Sequence, residues 1–105
     1  MTPAARPVPA SVIVVSRHRA EALRLCLTAL GQQDHPEFEV IVVADPAGIA
    51  AAQATGLPLR LVAFDEANIS AARNAGLALA GAPVVAFIDD DACAEPTWLS
   101  RLTAP

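Results

Sequence analysis

Ser11-Val12-Ile13-Val14-Val15-Ser16 is the run on which the reading of the fold turns. Four consecutive β-branched residues between two serines leave no polar face for water, so the run reads as a strand covered on both sides, as in parallel sheets. Directly after it the period changes. Over residues 19–32, Leu23, Cys26, Leu27 and Leu30 recur at i, i+3, i+4 and i+7, one stripe of a helix, with Gly31 near its end and Pro36 closing the connection. The alternation then repeats. Phe38-Glu39-Val40-Ile41-Val42-Val43-Ala44 is a second strand, residues 46–55 behind Pro46 a short Ala-rich helix, and residues 59–64 a third strand after the breakers Gly56 and Pro58. Residues 68–80 form the next helix, capped by Asn68 or Ser70, with Ile69, Ala72, Gly76 and Leu79 inward. Residues 83–88 are the fourth strand, and a last helix with Trp98, Leu99 and Leu102 starts at Pro96. Strand-helix alternation with continuous apolar strands defines an α/β protein, an open parallel sheet with helices on both faces.

The bulk numbers agree with one such domain. The chain has 105 residues, 54% of them hydrophobic and 17% charged, which excludes general disorder. Residues 1–10, with three prolines and one arginine, lack an apolar signal core and read as a flexible tail; residues 11–105 are the domain. The net charge is −4 and every basic residue is Arg, too thin a supply for nucleic-acid binding through counterion release. Cys26 and Cys93 read as reduced, buried thiols, Cys26 in the core. No apolar run reaches membrane-spanning length, so the expected location is the cytoplasm, or the cytoplasmic face of a membrane within a longer protein.

In open parallel sheets, ligands gather beyond the carboxyl ends of the strands. Here those ends carry Ser16-Arg17-His18-Arg19, Ala44-Asp45-Pro46, Phe64-Asp65-Glu66 and Asp89-Asp90-Asp91. The triplet is the strongest signal. Three adjacent carboxylates follow a strand with no polar residue, and their mutual repulsion is relieved by a divalent cation with a taste for oxygen ligands. The competing reading is a solvated acidic turn that caps the next helix. Asp45 reads equally well as an acceptor for a nucleotide's base or ribose and as the N-cap of the helix opened by Pro46. Arg73, beside Asn74, is placed to hold a diphosphate or, as an ordinary surface residue, to pair with Asp65 or Glu66. His18 and His35 read as solvated loop residues. No Gly-x-Gly-x-x-Gly follows the first strand and no Gly-Lys-Ser/Thr phosphate loop occurs, which argues against dinucleotide oxidoreductases and nucleoside-triphosphate hydrolases.

Taken in order, these pieces resemble the family 2 glycosyltransferases, which have the GT-A fold. The likeness is collinear over about residues 11–102: the first strand with Arg19, Leu23, Cys26-Leu27, Leu30 and Gln33; the second strand through Asp45; Ala72-Arg73-Asn74-Ala75-Gly76, similar to the family's Ala-Arg-Asn-x-Gly segment; and Phe87-Ile88-Asp89-Asp90-Asp91, then Pro96 and Trp98-Leu99. The resemblance implies a nucleotide-sugar donor, a UDP-sugar by preference. Asp45 would meet its base with Ser16 in the same pocket, Arg73 would lie by the diphosphate, Asp89 would hold the ribose or sugar side, and Asp90 would belong to the same donor-binding set. Asp91, with Asp89, would hold the Mg²⁺ or Mn²⁺ cofactor, and the product linkage would be inverted. Two segments depart from the family. Ser16-Arg17-His18-Arg19 stands where Thr-x-Asn-Arg is frequent, and Ala44-Asp45-Pro46-Ala47 where paired acids and Gly-Ser are frequent.

Family members also continue past this length to supply the general base and the acceptor site, so no catalytic residue is assigned here. The expectation is the donor-binding half of a transferase, incomplete as an enzyme alone, with a glycan, lipid or small-molecule acceptor. The alternative is a non-catalytic nucleotide-binding or interaction module of the same fold. A receiver-like domain would carry a lysine at the strand-end edge, and this chain has no lysine. An open four-stranded sheet would expose an edge for a missing C-terminal half or for self-association.

Overall fold

The computed structural model describes residues 8–104. The tail reading for residues 1–7, and Pro105, lie outside the described residues. Four strands and four helices alternate: β1 (Ala10–Ser16), α1 (Ala20–Leu30), β2 (Phe38–Ala44), α2 (Pro46–Ala54), β3 (Arg60–Ala63), α3 (Ile69–Leu77), β4 (Val84–Asp89) and α4 (Trp98–Leu102). All pairings are parallel and the strand order is β3-β2-β1-β4. β1 starts one residue earlier than the sequence run, because Ala10 pairs with both Phe38 and Val84 and is buried.

The two-residue period of the strands divides the core. Val12, Val14, Val40 and Val42 point to one face and pack with the α1 stripe Leu23, Cys26, Leu27 and Leu30, together with Ala52 and Leu99. Ile13, Ile41 and Val43 point to the other face, where α3 presents Ala72. α3 is the thinner cover. Val15, Val62, Phe64 and Val85 on its side are only partly buried, and Phe87 is 43% exposed.

α3 sits close to the sheet because Gly76 lets it. A Cβ built there would stand 2.7 Å from Ile13 Cγ2 and 3.3 Å from Val43 Cγ2. The inward set of α3 differs from the sequence expectation at one residue: Ile69, in the first turn, is 53% exposed, since that turn lies beyond the end of the sheet. α4 starts at Trp98 after a turn at Pro96–Thr97, two residues later than expected. His35 also departs from the solvated reading. It is buried, its Nδ1 accepts the Glu37 N–H (3.0 Å), and its Nε2, which therefore carries the ring proton, donates to the Val8 carbonyl (2.9 Å).

The connections β1-α1-β2 and β2-α2-β3 build the sheet in one direction. The next connection returns over the opposite face through α3 to place β4 on the far side of β1. The order therefore reverses between β1 and β4, and a crevice lies at their carboxyl ends, the position at which doubly wound sheets take ligands.

Candidate functional site

That crevice is a cleft of about 520 Å³, well within the range of small-molecule sites. Its floor is the end of β1 and β4; its walls are the first turn of α3, the segment from Phe64 to Asn68, and the acidic turn. Each wall is fixed by a local rule. Asn68 caps α3 by accepting the Ala71 N–H through its side chain at 3.0 Å, which sets where the first turn begins. β4 runs through Asp89, which is in register with Val15, and the chain turns at Asp90 and Asp91.

The three acids have different environments. Asp90 is 7% exposed and its Oδ2 accepts the hydroxyl of buried Ser16 at 2.9 Å, so the ends of β1 and β4 are tied directly. Asp89 and Asp91 flank it and are exposed. Arg19, at the N-cap of α1, straddles the turn: one guanidinium nitrogen is 3.5 Å from Asp90 Oδ1 and another 3.3 Å from Asp91 Oδ2. Beneath the turn lies buried Cys26, whose thiol is 3.6 Å from the Asp89 carbonyl, whereas Cys93 departs from the buried reading and is exposed, because it stands in the loop that follows the turn. Burial, followed by the negative charge of Asp90 and its neighbours, pushes the Cys26 thiol up to about 11, so it stays protonated and inert at neutral pH.

Ser16, Arg73, Asp89, Asp90 and Asp91 thus share one cleft, joined by Arg17 and Arg19. The Arg73 guanidinium lies 5.6 Å from the centre of the Phe87 ring, a cation–π contact that bridges α3 to β4. Asp65 is taken by Arg17 at 3.0 Å, not by Arg73. Asp45 lies apart from this cleft. Its buried carboxylate accepts the Gly48 N–H as the cap of α2 (3.3 Å) and the His18 N–H (3.3 Å), with the His18 ring 3.4 Å away. His18 holds φ 60°, the left-handed region where Asn is favoured over most residues.

Reading the sequence placed Arg19 and Phe64 at strand ends where ligands gather but gave neither a role, and took Phe87 only as a strand residue before the triplet. Arg19 carried a signal, a basic residue just past a strand end, whereas a phenylalanine in an apolar strand carries none that separates a cleft wall from core. Asp89 is also shared with a second open cleft, of about 730 Å³, along β4 and α4 between Phe87, Trp98 and Leu102.

Among the described residues no three His, Cys, Asp or Glu side chains converge at metal-ligand spacing. A divalent ion at the turn would therefore take one or two carboxylates and complete its shell from ligand and water oxygens. That is the ordinary habit of Mg²⁺ at diphosphates, and the all-oxygen donor set of exposed Asp89 and Asp91 fits it.

The fold is an open α/β sheet of the GT-A glycosyltransferase type. Residues 11–105 match the family model of glycosyl transferase family 2, and the chain belongs to that family. Among solved structures it resembles S. aureus TarS 1-349, at 28% identity and TM-score 0.78 over 91% of this chain and 31% of that one. It also resembles the mannosyltransferase PcManGT from Pyrobaculum calidifontis, solved with GDP-Man and Mn²⁺, at 26% identity and TM-score 0.79 over 95% of this chain and 32% of that one. TarS 1-349 in complex with UDP aligns at 31% identity and TM-score 0.64, over 79% of this chain and 27% of that one. The chain thus spans about a third of the length of these transferases. No curated protein matches the sequence. No helix among the described residues is long and apolar enough to cross a membrane.

Proposed function

We propose that this chain binds a nucleotide-diphosphate sugar, a UDP-sugar by preference, as the donor side of an inverting glycosyl transfer that uses Mg²⁺ or Mn²⁺. The observation that carries the reading is the division of labour in the acidic turn. Asp90 is buried and tied to Ser16, which holds Asp89 and Asp91 outward at the mouth of a cleft containing three arginines. A cation held by Asp91, with Asp89, would neutralise charge on the leaving nucleoside diphosphate.

The protein's own part is to bind and orient. Arg73, steadied on Phe87, lines the cleft and would donate to a phosphate held there. Ser16 and Asp90 fix the distance between the two strand ends, and thereby the aim of Asp89 toward ribose or sugar hydroxyls. Asp45 would serve the base only by giving up the contact with the exposed His18 ring, because its other oxygen is committed to capping α2. The structure of PcManGT holds GDP-Man and Mn²⁺ and that of TarS 1-349 holds UDP, which supports a nucleotide donor and leaves the base to be chosen by experiment. Transfer to a glycan, lipid or small-molecule acceptor would need residues beyond those of the cleft. The β4 edge, with exposed Phe87 and Leu102, would be covered by further chain or by a second copy.

The test is calorimetric titration of UDP and of GDP into the folded chain, with and without Mn²⁺. The expected result is Mn²⁺-dependent binding of UDP in preference to GDP, lost in Asp91→Ala. Binding that ignores Mn²⁺ and survives Asp91→Ala would refute the reading.

A further inference from the structure

Building on the donor-binding reading, we propose that Arg19 is a built-in, displaceable counter-ion of the acidic turn. It bridges Asp90 and Asp91 when no cation is bound, yields Asp91 to an arriving divalent ion, and is then free to pair with the donor's phosphate.

Three consecutive carboxylates repel one another, and one of them is nearly buried, so the turn needs a positive partner. Among the arginines of the described residues, Arg17 is engaged by Asp65, Arg24 by Glu21, Arg60 by Glu39 and Arg73 by the Phe87 ring, and Arg101 stands in the last turn of α4. Arg19 alone of these sits on the turn, with its two terminal nitrogens split between two carboxylates. Its contacts, 3.3 and 3.5 Å, are longer than the ~2.8 Å of a strong charge-assisted hydrogen bond. The side chain is 53% exposed, so the bridge opens into water at little cost.

The backbone beneath it is fixed. The Arg19 carbonyl accepts the Leu23 N–H at 3.0 Å, and α1 is anchored by its buried stripe. Only the side chain has to move. A divalent ion carries twice the charge of the guanidinium and fits a single carboxylate oxygen, so it outcompetes Arg19 at Asp91. The cleft that Arg19 then lines is the one that would hold the diphosphate.

The proposal has an unusual signature: removing a positively charged side chain that touches the site should strengthen cation binding and weaken nucleotide binding. The experiment uses the full chain and its Arg19→Gln and Arg19→Lys variants. Binding of Mn²⁺ alone is followed by the electron paramagnetic resonance of the free ion. UDP binding at saturating Mn²⁺ is followed by calorimetry.

Arg19→Gln should bind Mn²⁺ alone about fivefold tighter, the scale of one exposed charge pair at this separation, and bind UDP more weakly by a similar factor. Arg19→Lys, which keeps the charge but cannot bridge two carboxylates, should fall between Arg19→Gln and the unaltered chain in both measurements. A general loosening of the site would weaken both ligands. Equal or weaker Mn²⁺ binding by Arg19→Gln would therefore overturn the proposal, while the unaltered chain still bound UDP with Mn²⁺. Failure of the unaltered chain to bind UDP with Mn²⁺ would overturn the donor reading and the role of Arg19 with it.

Discussion

Gly76→Ala tests why the Arg73-Asn74-Ala75-Gly76 segment ends in glycine. In an open helix position this change is favourable by ~1 kcal/mol, because Ala loses less backbone entropy than Gly. Here the added methyl would lie 2.7 Å from Ile13 Cγ2 and 3.3 Å from Val43 Cγ2, on two strands at the centre of the sheet. Neither contact is the loose end of a flexible side chain, so α3 or the strands must shift, and overpacking of this kind costs ~1–3 kcal/mol. The net expectation is a loss of about 1 kcal/mol, or a fall in Tm of roughly 5 °C for a domain of this size. Circular dichroism melts of the two proteins measure it. The Ile13→Ala background removes the methyl that is struck. There the cost of Gly76→Ala should shrink or change sign, giving a coupling of about 1 kcal/mol in the double-mutant cycle. Because Arg73 is one turn away on the same helix, the single variant should also bind UDP with Mn²⁺ several-fold more weakly. A Gly76→Ala protein that melts at or above the unaltered one would refute the packing argument outright.

Two further outcomes follow from charges and thiols. At the end of the sheet opposite the site, Glu39 accepts the Ser11 hydroxyl (2.5 Å) and the Gly81 N–H (2.9 Å) and faces Arg60 (3.3 Å). The Ser11 and Gly81 hydrogen bonds, ahead of Arg60, hold its carboxyl below the usual range. A depressed folded-state pKa means the stabilisation is whole above the unfolded value of about 4.3 and is lost as pH falls through the folded value. Glu39→Gln should therefore lower Tm at pH 6, with the gap to the unaltered chain closing below about pH 4; a gap that persists or widens in acid would contradict this. For the cysteines, an aromatic disulfide reagent at neutral pH should titrate exposed Cys93 promptly and reach Cys26 only as the chain opens, since Cys26 is buried and its thiol is raised to about 11. Equal rates for the two in the native protein would refute that placement.

How much of this was legible beforehand depended on distance along the chain. The α1 stripe and the strand runs were readable because helix and strand periods are imposed by neighbours within a few residues, and burial of Leu23, Cys26, Leu27 and Leu30 follows from that periodicity. The Asn68 and Asp45 caps were legible for the same reason. Ile69 was not. Its spacing matches the inward set, but whether sheet lies beneath the first turn of α3 is settled by where β1 and β2 end. His35 looked like a loop residue, and its burial depends on the Val8 carbonyl, 27 positions away.

The sequence by itself determined the alternation of strands and helices, the apolar core residues and the acidic triplet at a strand end, since each is a local pattern of side-chain chemistry. Only the tertiary structure decided that β4 returns beside β1, so that Ser16 meets Asp90 across 74 positions and Arg19 meets Asp91 across 72. It also set Asp45 outside the cleft that holds the triplet. Strand order is chosen by the total burial of both sheet faces, a sum over the whole chain, and no short stretch of residues carries it.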